Sequence, residues 1–381
     1  MITYKEKIDN VALHFQNGDH NLGYRKFIDC VLDSKNFTLY KECVELTDWK
    51  ETVLPSKIEL HEKVNEFLLK LSTIEVHSPP HRVLLKADKI VKKYSRGKFQ
   101  LGEISLEVKQ GDIWGLVGEN GNGKTTLLRI LAKDLKSESG NLIYNVENTI
   151  SSDYDLRTKL TYIPQRTSKW YGSLKSNLKY AASHYGIKGE ENEIMVNMMI
   201  IRFGLWPYRN HNWDELSSGY KMRFELARTF LRSPKILLLD EPLANLDVLA
   251  QQLVLEDLKN LSQSISNPLG IILSSQQLFE VEKVSDNVLF LKNGKPTYLS
   301  DANDQNENHC FIEMDVNCSR ELLNKAIKDL EIKDIDFNGG MYLITIQSED
   351  GLNLLLTALI QHNIEIKYVR NISQSTKRLF S

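Results

Sequence analysis

The spacing of apolar residues changes twice along the chain and divides it into three segments. In the first segment, up to about residue 78, apolar residues recur every three or four positions, which is typical of amphipathic helices. The turn-forming pairs Asp33-Ser34 and Pro55-Ser56 interrupt this pattern. It predicts four helices, at Ile8–Phe15, Gly23–Leu32, Leu39–Leu46 and Ile58–Leu71.

The second segment begins near Val83, where short apolar runs start to alternate with helical stretches. This alternation predicts an α/β architecture, in which helices pack on a mostly parallel sheet. Two linkers bound the segment. One contains Pro79-Pro80, which cannot continue a helix, and the other is the polar run from Ser300 to Asn308.

The third segment has a βαββαβ pattern, which predicts a ferredoxin-like fold. Its predicted elements are strand Cys310–Val316, helix Arg320–Leu330, strands Ile332–Phe337 and Met341–Ile346, helix Leu352–Gln361 and strand Ile364–Val369. The two middle strands would turn at Asn338-Gly339-Gly340. The chain is therefore predicted to contain a helical accessory domain at 1–80, an α/β domain at 82–299 and an α+β domain at 309–381.

Composition and charge restrict the classes of function. Of the 381 residues, 41% are hydrophobic and 26% are charged, which is typical of a soluble globular protein. The formal net charge of −2 argues against a nucleic-acid binder, which would carry a basic excess. No apolar stretch approaches the roughly 20 residues that span a bilayer, and the start lacks the apolar region of a signal peptide. The four cysteines form no CxxC pair, so a reducing, cytoplasmic location is expected.

A glycine-rich segment follows the apolar run Ile113–Val117 and opens a predicted helix, Leu127–Leu131. This is the strand–GxxxxGK(S/T)–helix context of a P-loop, although a chance glycine-rich turn is the alternative. Glycines let backbone N–H groups converge on phosphate oxygens, while Lys124 would contact the phosphates and the Thr125 hydroxyl would ligate Mg²⁺. The candidate nucleotide-binding residues here are Gly118, Glu119, Asn120, Gly121, Asn122, Gly123, Lys124, Thr125 and Thr126.

A second candidate site lies at the pair Asp240-Glu241. The aliphatic residues before it, Ile236–Leu239, run without polar alternation, which indicates a strand buried on both faces of a parallel sheet. Asp240 would then lie at the carboxyl end of that strand, where open α/β sheets bind ligands. Two carboxylates there suit a Mg²⁺ partner and a base for an attacking water; alternatively, the pair merely ends a strand.

With these two motifs and four further ones in a fixed order, residues 85–298 resemble the ATP-binding subunits of ABC proteins. The segment Tyr162–Gln165 is similar to the Q-loop, Leu216–Tyr220 to the signature motif and Leu243–Asp247 to the D-loop. A helix is predicted after the signature motif, from Lys221 to Leu231. Tyr94 matches the aromatic residue that stacks on adenine. The resemblance implies a P-loop ABC nucleotide-binding domain with an inserted helical subdomain, and ATP and Mg²⁺ as cofactors.

The resemblance also implies roles for single residues. Two such domains pack head to tail, so Ser217 and Gly219 would contact the γ-phosphate of ATP bound by a second copy, and Glu241 would be the general base. The residues implied at the metal are Thr125, Gln165 and Asp240. Three of the roles have structural alternatives: a loop residue for Gln165, a helix N-cap for Ser217 and a packing aromatic for Tyr94.

The chain departs from the family at the signature and at one catalytic position. The signature reads Ser217-Ser218, and Tyr220 replaces the usual glutamine. The strand Gly270–Ser275 leads to Gln276, where the family has a histidine that contacts the γ-phosphate. Glutamine keeps a donor but cannot become cationic, so slow ATP hydrolysis is expected. Together with Glu241 and Gln165, Gln276 completes the implied catalytic set.

The whole pattern predicts an ATP-hydrolysing subunit of a membrane transporter. The helical stretch 173–186 and the C-terminal βαββαβ unit, ending in Ile372–Phe380, resemble ATPases of the drug-exporter type. A homodimer would act on separate transmembrane permease subunits, peripherally on the inner face of the membrane and without nucleic acid. Two alternatives stay open: a soluble ABC ATPase acting on ribosomes or DNA, and an ATP-dependent switch with weak hydrolysis.

Overall fold

A computed structural model describes residues 3–94, 99–146, 152–298, 309–338, 340–348 and 350–372. Two short 3₁₀ helices, Trp206–Tyr208 and Trp213–Glu215, lie between the helices Gly189–Arg202 and Ser218–Phe230. The helices and strands follow one another as α1 Tyr4–Gln16, α2 His20–Asp33, α3 Phe37–Val53, α4 Lys57–Ser72, β1 Val83–Lys93, β2 Gln100–Lys109, β3 Ile113–Val117, α5 Lys124–Leu131, β4 Ser139–Tyr144, α6 Asp153–Lys159, β5 Leu160–Ile163, α7 Leu174–His184, α8 Gly189–Arg202, α9 Ser218–Phe230, β6 Ile236–Leu239, α10 Val248–Ser262, β7 Gly270–Ser275, α11 Leu278–Glu282, β8 Asn287–Lys292, β9 Lys295–Tyr298, β10 Cys310–Asn317, α12 Arg320–Ala326, β11 Ile332–Asn338, β12 Met341–Ile346, α13 Gly351–Gln361 and β13 Glu365–Asn371.

These elements belong to two compact units. The described residues within Met1–Gln276 and Lys283–Thr297 form the first, and those within Gln277–Glu282 and Tyr298–Ser381 form the second. The N-terminal helices therefore share a unit with the α/β elements. Among the described residues, no helix is long and apolar enough to cross a membrane.

Helices α1 to α4 occupy the segment in which the apolar spacing predicts helices, and each is longer than its predicted core. Side-chain caps fix where two of these helices begin. Thr3 and Glu6 form a capping box at the start of α1, and Ser56 and Glu59 form another at the start of α4. Pro55 lies just before the second box, so α3 ends at Val53 and a new helix begins at Lys57.

The first unit contains two sheets. A six-stranded sheet has the order β5-β6-β7-β3-β8-β9, and its neighbours from β5 to β8 pair in parallel. Strands β3, β6 and β7 are buried along their whole length, which agrees with the unbroken apolar sequences of β3 and β6. A three-stranded antiparallel sheet has the order β2-β1-β4. The predicted α/β fold is confirmed.

Helices α7, α8 and α9 lie in the chain between the parallel neighbours β5 and β6. Helix α9 begins at Ser218, three residues before the predicted start at Lys221, because Ser217 caps it. Helix α5 likewise begins at Lys124 and not at Leu127. Both differences bring motif residues onto helix N-termini.

The second unit holds a four-stranded antiparallel sheet of order β11-β12-β10-β13, with α12 and α13 between strands in the chain. Its core contains aliphatic residues from β10, β12, α12 and α13, such as Ile312 and Leu359. Helix α12 ends at Ala326 and not at the predicted Leu330. The predicted turn residue Gly339 and the tail after Ile372 lie outside the described residues.

Candidate functional site

Four adjacent parallel strands, in the order β5-β6-β7-β3, bring most candidate residues to one edge of the sheet. Gln165 follows β5, the pair Asp240-Glu241 follows β6, Gln276 follows β7 and the loop from Gly118 follows β3. Since all four strands run in the same direction, these residues meet at the carboxyl edge of the sheet.

The loop between β3 and α5 has a backbone that requires glycine. A Cβ at Gly118 would lie 2.4 Å from the carbonyl oxygen of Leu291, closer than any side chain could tolerate. Gly123 has a φ of 98° and is the N-cap of α5, and no side chain of the described residues caps this helix. The first N–H groups of α5 are therefore left for an external acceptor, and a helix N-terminus favours an anion.

Lys124 is folded back into this loop. Its side chain is only 4% exposed, and Nζ donates to the carbonyl oxygens of Gly118 at 2.7 Å and Glu119 at 3.2 Å. The same ammonium lies 3.3 Å from Oε1 of Glu241. The lysine thus links the glycine-rich loop directly to the second candidate motif.

The carboxylate of Asp240 is buried and accepts several hydrogen bonds. Its Oδ2 accepts from Thr125 Oγ1 at 2.8 Å and from the Tyr162 hydroxyl at 3.3 Å. Its Oδ1 accepts from Ser274 Oγ at 2.9 Å. Burial and the neighbouring Asp240 raise the pKa of Tyr162, so this phenol stays a neutral donor. The contact between Thr125 and Asp240 joins two of the residues predicted at the metal.

Glu241 occupies a left-handed backbone conformation with a φ of 47°, which is costly for a residue with a side chain. Its Oε2 accepts from Gln165 Nε2 and from Gln276 Nε2, each at 2.9 Å. With Lys124 on the other oxygen, three donors hold this carboxylate at the edge of the sheet. The predicted catalytic set of Glu241, Gln165 and Gln276 therefore forms one contact group.

Sequence reasoning missed Ser274, which is fully buried in β7. Its hydroxyl donates to Asp240 Oδ1 at 2.9 Å and accepts from the backbone N–H of Glu241 at 2.8 Å. One side chain thus holds both the Asp240 carboxylate and the strained turn into Glu241. The signal was available, because a serine that follows the aliphatic run Ile271–Leu273 within a buried strand needs a polar partner.

The remaining candidates of the loop lie around the start of α5. Tyr94 is 42% exposed, and its hydroxyl lies 3.3 Å from Thr126 Oγ1, so an exposed aromatic ring flanks the loop. Asn122 is buried and accepts from the N–H of Asn293 at 2.8 Å. Glu119, Asn120 and Gly121 are exposed.

Ser217 and Gly219 form a separate group with the D-loop. Ser217 caps α9, and Ser218 Oγ donates to the carbonyl oxygen of Asn245 at 2.9 Å. Tyr220, which replaces a glutamine, packs its ring on Tyr208 with the centroids 4.1 Å apart. Among the described residues, no hydrogen bond joins this group to the glycine-rich loop.

The donor set fits a nucleotide with Mg²⁺. Within the described part of the chain, no group of three or more His, Cys, Asp or Glu residues could hold a metal by itself. Mg²⁺ instead uses one or two carboxylates together with substrate phosphates and water. Asp240 and Thr125 supply such oxygens beside an uncapped helix N-terminus and a buried lysine.

Comparisons with known proteins find similarity over part of the chain. Residues 101–244 match the protein family described as ABC transporter. The spermidine/putrescine import ATP-binding protein PotA of Mycoplasma mycoides is 32% identical over 211 residues. That match covers 55% of this chain and 59% of PotA, so the chain spans less than two thirds of this relative.

Two further proteins extend the comparison. The probable multidrug ABC transporter ATP-binding protein YbhF of Escherichia coli is 32% identical over 180 residues, which cover 46% of this chain and 31% of YbhF. The structure of cbiO1 from Clostridium perfringens, part of the ABC transporter complex cbiONQ, superposes with a TM-score of 0.51 at 23% identity. It covers 65% of this chain and 96% of cbiO1. At that identity the superposition shows the fold alone.

Proposed function

We propose that this chain, whose residues 101–244 match the protein family described as ABC transporter, binds Mg-ATP and hydrolyses it to drive a membrane transporter. One observation supports the proposal above all others. The buried ammonium of Lys124 lies between the glycine-rich loop and Glu241, while Thr125 and Asp240 join beside it. Phosphate, metal and general-base functions therefore share one sheet edge.

Each part of the nucleotide has a proposed partner. The backbone N–H groups from Gly121 to Thr126 and the Lys124 ammonium would hold the phosphates. The ring of Tyr94 would stack on the adenine. Oxygens of Thr125, Gln165 and Asp240 would hold Mg²⁺, which supplies charge neutralisation at the phosphates when it is bound.

Glu241 would take the proton of the attacking water. Its carboxylate is already held by Gln165 and Gln276, so its position is fixed before the reaction. The Ser274 hydroxyl supports the backbone turn that carries it. Phosphoryl transfer depends mainly on positioning and electrostatic stabilisation, and this arrangement supplies both.

The signature group would act on a second copy of the chain. Ser217 and Gly219 lie at the N-terminus of α9, which favours an anion, and no hydrogen bond among the described residues joins them to the glycine-rich loop of their own chain. A head-to-tail homodimer would place them on the partner's γ-phosphate. Separate permease subunits would then receive the movement, with the dimer at the cytoplasmic face of the membrane.

Two finer points belong to the same proposal. The relatives include the import protein PotA and the multidrug protein YbhF, and we favour export because of the resemblance of the C-terminal segment. The order β11-β12-β10-β13 supports a ferredoxin-like domain at 309–381 for dimer contact or regulation. The helices of residues 1–80 would be an accessory domain, and α7 to α9 the inserted helical subdomain.

An ATP-dependent switch with slow hydrolysis is a second candidate function. The observation that favours it is Gln276, a neutral amide at the position of a histidine. An amide donates to Glu241 but cannot stabilise developing negative charge as a cation does. Turnover numbers separate the two candidates, since a switch would bind ATP with normal affinity and hydrolyse it slowly.

Paired variants test the main proposal. Lys124→Ala should lower Mg-ATP affinity or turnover about tenfold or more, which corresponds to about 1.4 kcal/mol. Glu241→Gln should keep ATP affinity, stop hydrolysis and accumulate an ATP-bound dimer in light scattering. Lys133→Ala, which removes a surface lysine paired with Asp153, is the matched control. Unchanged ATP binding and hydrolysis in Lys124→Ala would contradict the proposal.

Co-purification from detergent-solubilised membranes tests the transport function. A polytopic membrane protein in stoichiometric amount supports it, whereas ribosomal proteins support the soluble alternative.

A further inference from the structure

The N-terminal helices share a buried charge cluster with the nucleotide-binding elements. Three arginines and three carboxylates meet there, so the cluster is electrically balanced. They come from α2, α8, α9 and α10, and are Arg25, Asp29, Arg202, Arg223, Glu256 and Asp257.

Asp257 of α10 is the centre of this cluster and is fully buried. Its Oδ1 accepts from Arg25 Nη2 at 2.6 Å and from Arg202 Nη1 at 2.8 Å. Its Oδ2 lies 3.5 Å from Arg223 Nη2. A single carboxylate therefore joins three other helices, α2, α8 and α9, to α10.

Helix α2 contributes both a positively and a negatively charged side chain to the cluster. Arg25 also donates through Nη1 to Glu256 Oε2 at 2.7 Å, so its guanidinium spans two consecutive carboxylates of α10. Asp29, one turn further along α2, pairs with Nε of Arg202. Burial opposes the charge of Arg202, but Asp29 and Asp257 raise its pKa above the usual value, so it stays cationic.

A second contact fixes the end of α2 on the same part of the chain. Asp33 is buried and accepts from the Ser264 hydroxyl at 2.6 Å and from the N–H groups of Ile265 and Ser266. These residues directly follow α10. Helix α2 is thus held to α10 along one side and to the loop after it.

Buried ion pairs add little net stability, because the cost of removing both charges from water offsets their attraction. They do restrict geometry, since a guanidinium fork must meet its carboxylates in one orientation. The cluster therefore selects one arrangement of α8, α9 and α10. The N-termini of the last two helices carry Ser217 and Asp247, and Ser218 joins them through Asn245.

We propose that α2 positions the signature helix α9 relative to α10, and that Arg25 is the positioning residue. This inference rests on the proposed function, because the placement of α9 affects hydrolysis only if its N-terminus acts on a nucleotide. The N-terminal helices are then a part of the ATPase mechanism and not an independent attachment.

The test compares Arg25→Gln with wild type in the full chain. Arg25 is partly exposed, and the variant keeps an uncharged side chain in place of the fork. We expect kcat to fall about tenfold at unchanged KM for ATP, because misplaced groups cost rate more than ground-state binding. Hydrogen exchange should become faster in α9 and α10. Lys41→Gln, which breaks an exposed ion pair between α3 and Glu190 of α8, is the matched control. It should change neither kcat nor the hydrogen exchange of α9 and α10.

Several outcomes would overturn the inference. These are a kcat within twofold of wild type, a parallel loss of ATP affinity, or the same loss in Lys41→Gln. If Arg25→Gln does not fold, Glu256→Gln removes one arm of the fork, and an unchanged kcat in that variant has the same meaning. If wild type neither binds nor hydrolyses ATP, the proposed function fails. Exchange in α9 and α10 then decides the inference alone, and unchanged rates overturn it.

Discussion

At the residue scale, hydrogen bonds and an ion pair between side chains hold the site together. Three donors contact the carboxylate of Glu241, which has a left-handed backbone conformation. Three hydroxyl groups donate to the carboxylate of Asp240. Such a group of contacts fixes positions before a substrate arrives, which is the condition for electrostatic catalysis. Changes of a single hydrogen-bonding atom should therefore alter rate more than binding.

Gln276 provides the first example. Its amide donates to Glu241 at 2.9 Å, as an imidazole N–H could, but it stays neutral. We expect normal Mg-ATP affinity and slow basal turnover in wild type, and a several-fold faster turnover in Gln276→His. Steady-state kinetics with a parallel affinity titration measures both. If histidine leaves the rate unchanged or lowers it, Gln276 is an adapted part of a competent site, and the switch function loses its support.

Ser274 provides the second example. Ser274→Ala removes one donor and one acceptor and leaves the Glu241 N–H and a lone pair of Asp240 unsatisfied in a buried place. The expected cost is about 1–3 kcal/mol, divided between stability and the position of Glu241. Turnover should therefore fall about tenfold, with ATP affinity nearly kept. Thr161→Val, which removes another buried hydroxyl from strand β5 of the same sheet, is the control; an equal loss of turnover there would contradict a special role for Ser274.

Motif residues could be predicted individually because each motif has a strong local pattern. What the sequence could not give is which atoms meet. The contact of Gln165 with Glu241 joins residues 76 positions apart, and its prediction requires the order of β5 and β6 in the sheet. Ser274 belongs to no motif, and which residues it contacts follows only from the order of β6 and β7 in the sheet.

At the scale of elements, periodicity located the four N-terminal helices and the elements of the third segment, and the largest boundary errors lie at helix ends. Helices α5 and α9 start earlier than predicted because glycine and serine residues are N-caps there. Helix α12 stops early at Ala326 although apolar residues continue to Leu330. Apolar spacing reports the buried face of a helix, whereas capping decides its ends.

The pair α7 and α8 gives a prediction at this scale. Lys175 and Lys179 of α7 lower the pKa of Glu193 on α8 to about 2 from 4.5. A lowered folded-state pKa means that this stabilisation is complete above pH 4.5 and is lost as pH falls through about 2. Glu193→Gln should therefore have a lower thermal midpoint than wild type at pH 7, and the difference should shrink between pH 4.5 and 2. Glu191→Gln, on the same helix, is the control; a pH-independent difference for Glu193→Gln would contradict the assignment.

At the scale of the molecule, all six nucleotide motifs lie within residues 82–300, so the sequence predicts that this part alone binds ATP. The structure adds that Arg202 and Asp257 are both buried against α2. The linkers do not show which segments of the chain share a compact unit. Pro79-Pro80 has the sequence of a domain boundary, yet the helices before it and the α/β elements after it belong to one unit. Ion pairs between residues far apart in the chain leave no periodic pattern in the sequence.

A chain shortened to residues 82–300 should bind ATP but have a thermal midpoint about 5 °C or more below that of the full chain. The reason is that two buried charges lose a partner, which costs a few kcal/mol. Calorimetry with and without ATP measures it. Equal midpoints would show that the N-terminal helices leave the rest of the fold unaffected, and a failure to bind ATP would place part of the site outside this range.

The Lys124–Glu241 ion pair and the adjacent Thr125–Asp240 hydrogen bond have a consequence for the net charge of the site. One ammonium faces two carboxylates, so the ionisable side chains of the site repel a polyanion before any cation joins it. A divalent cation reverses that sign, and attraction between charges about 4 Å apart is large enough to matter even near a protein surface. Chelating Mg²⁺ with EDTA should therefore weaken ATP binding about tenfold or more. Glu241→Gln, which leaves one carboxylate and one ammonium in the site, should bind metal-free ATP better than wild type. A titration with a fluorescent nucleotide, with and without EDTA, shows whether Mg²⁺ or the glycine-rich loop dominates ATP recognition.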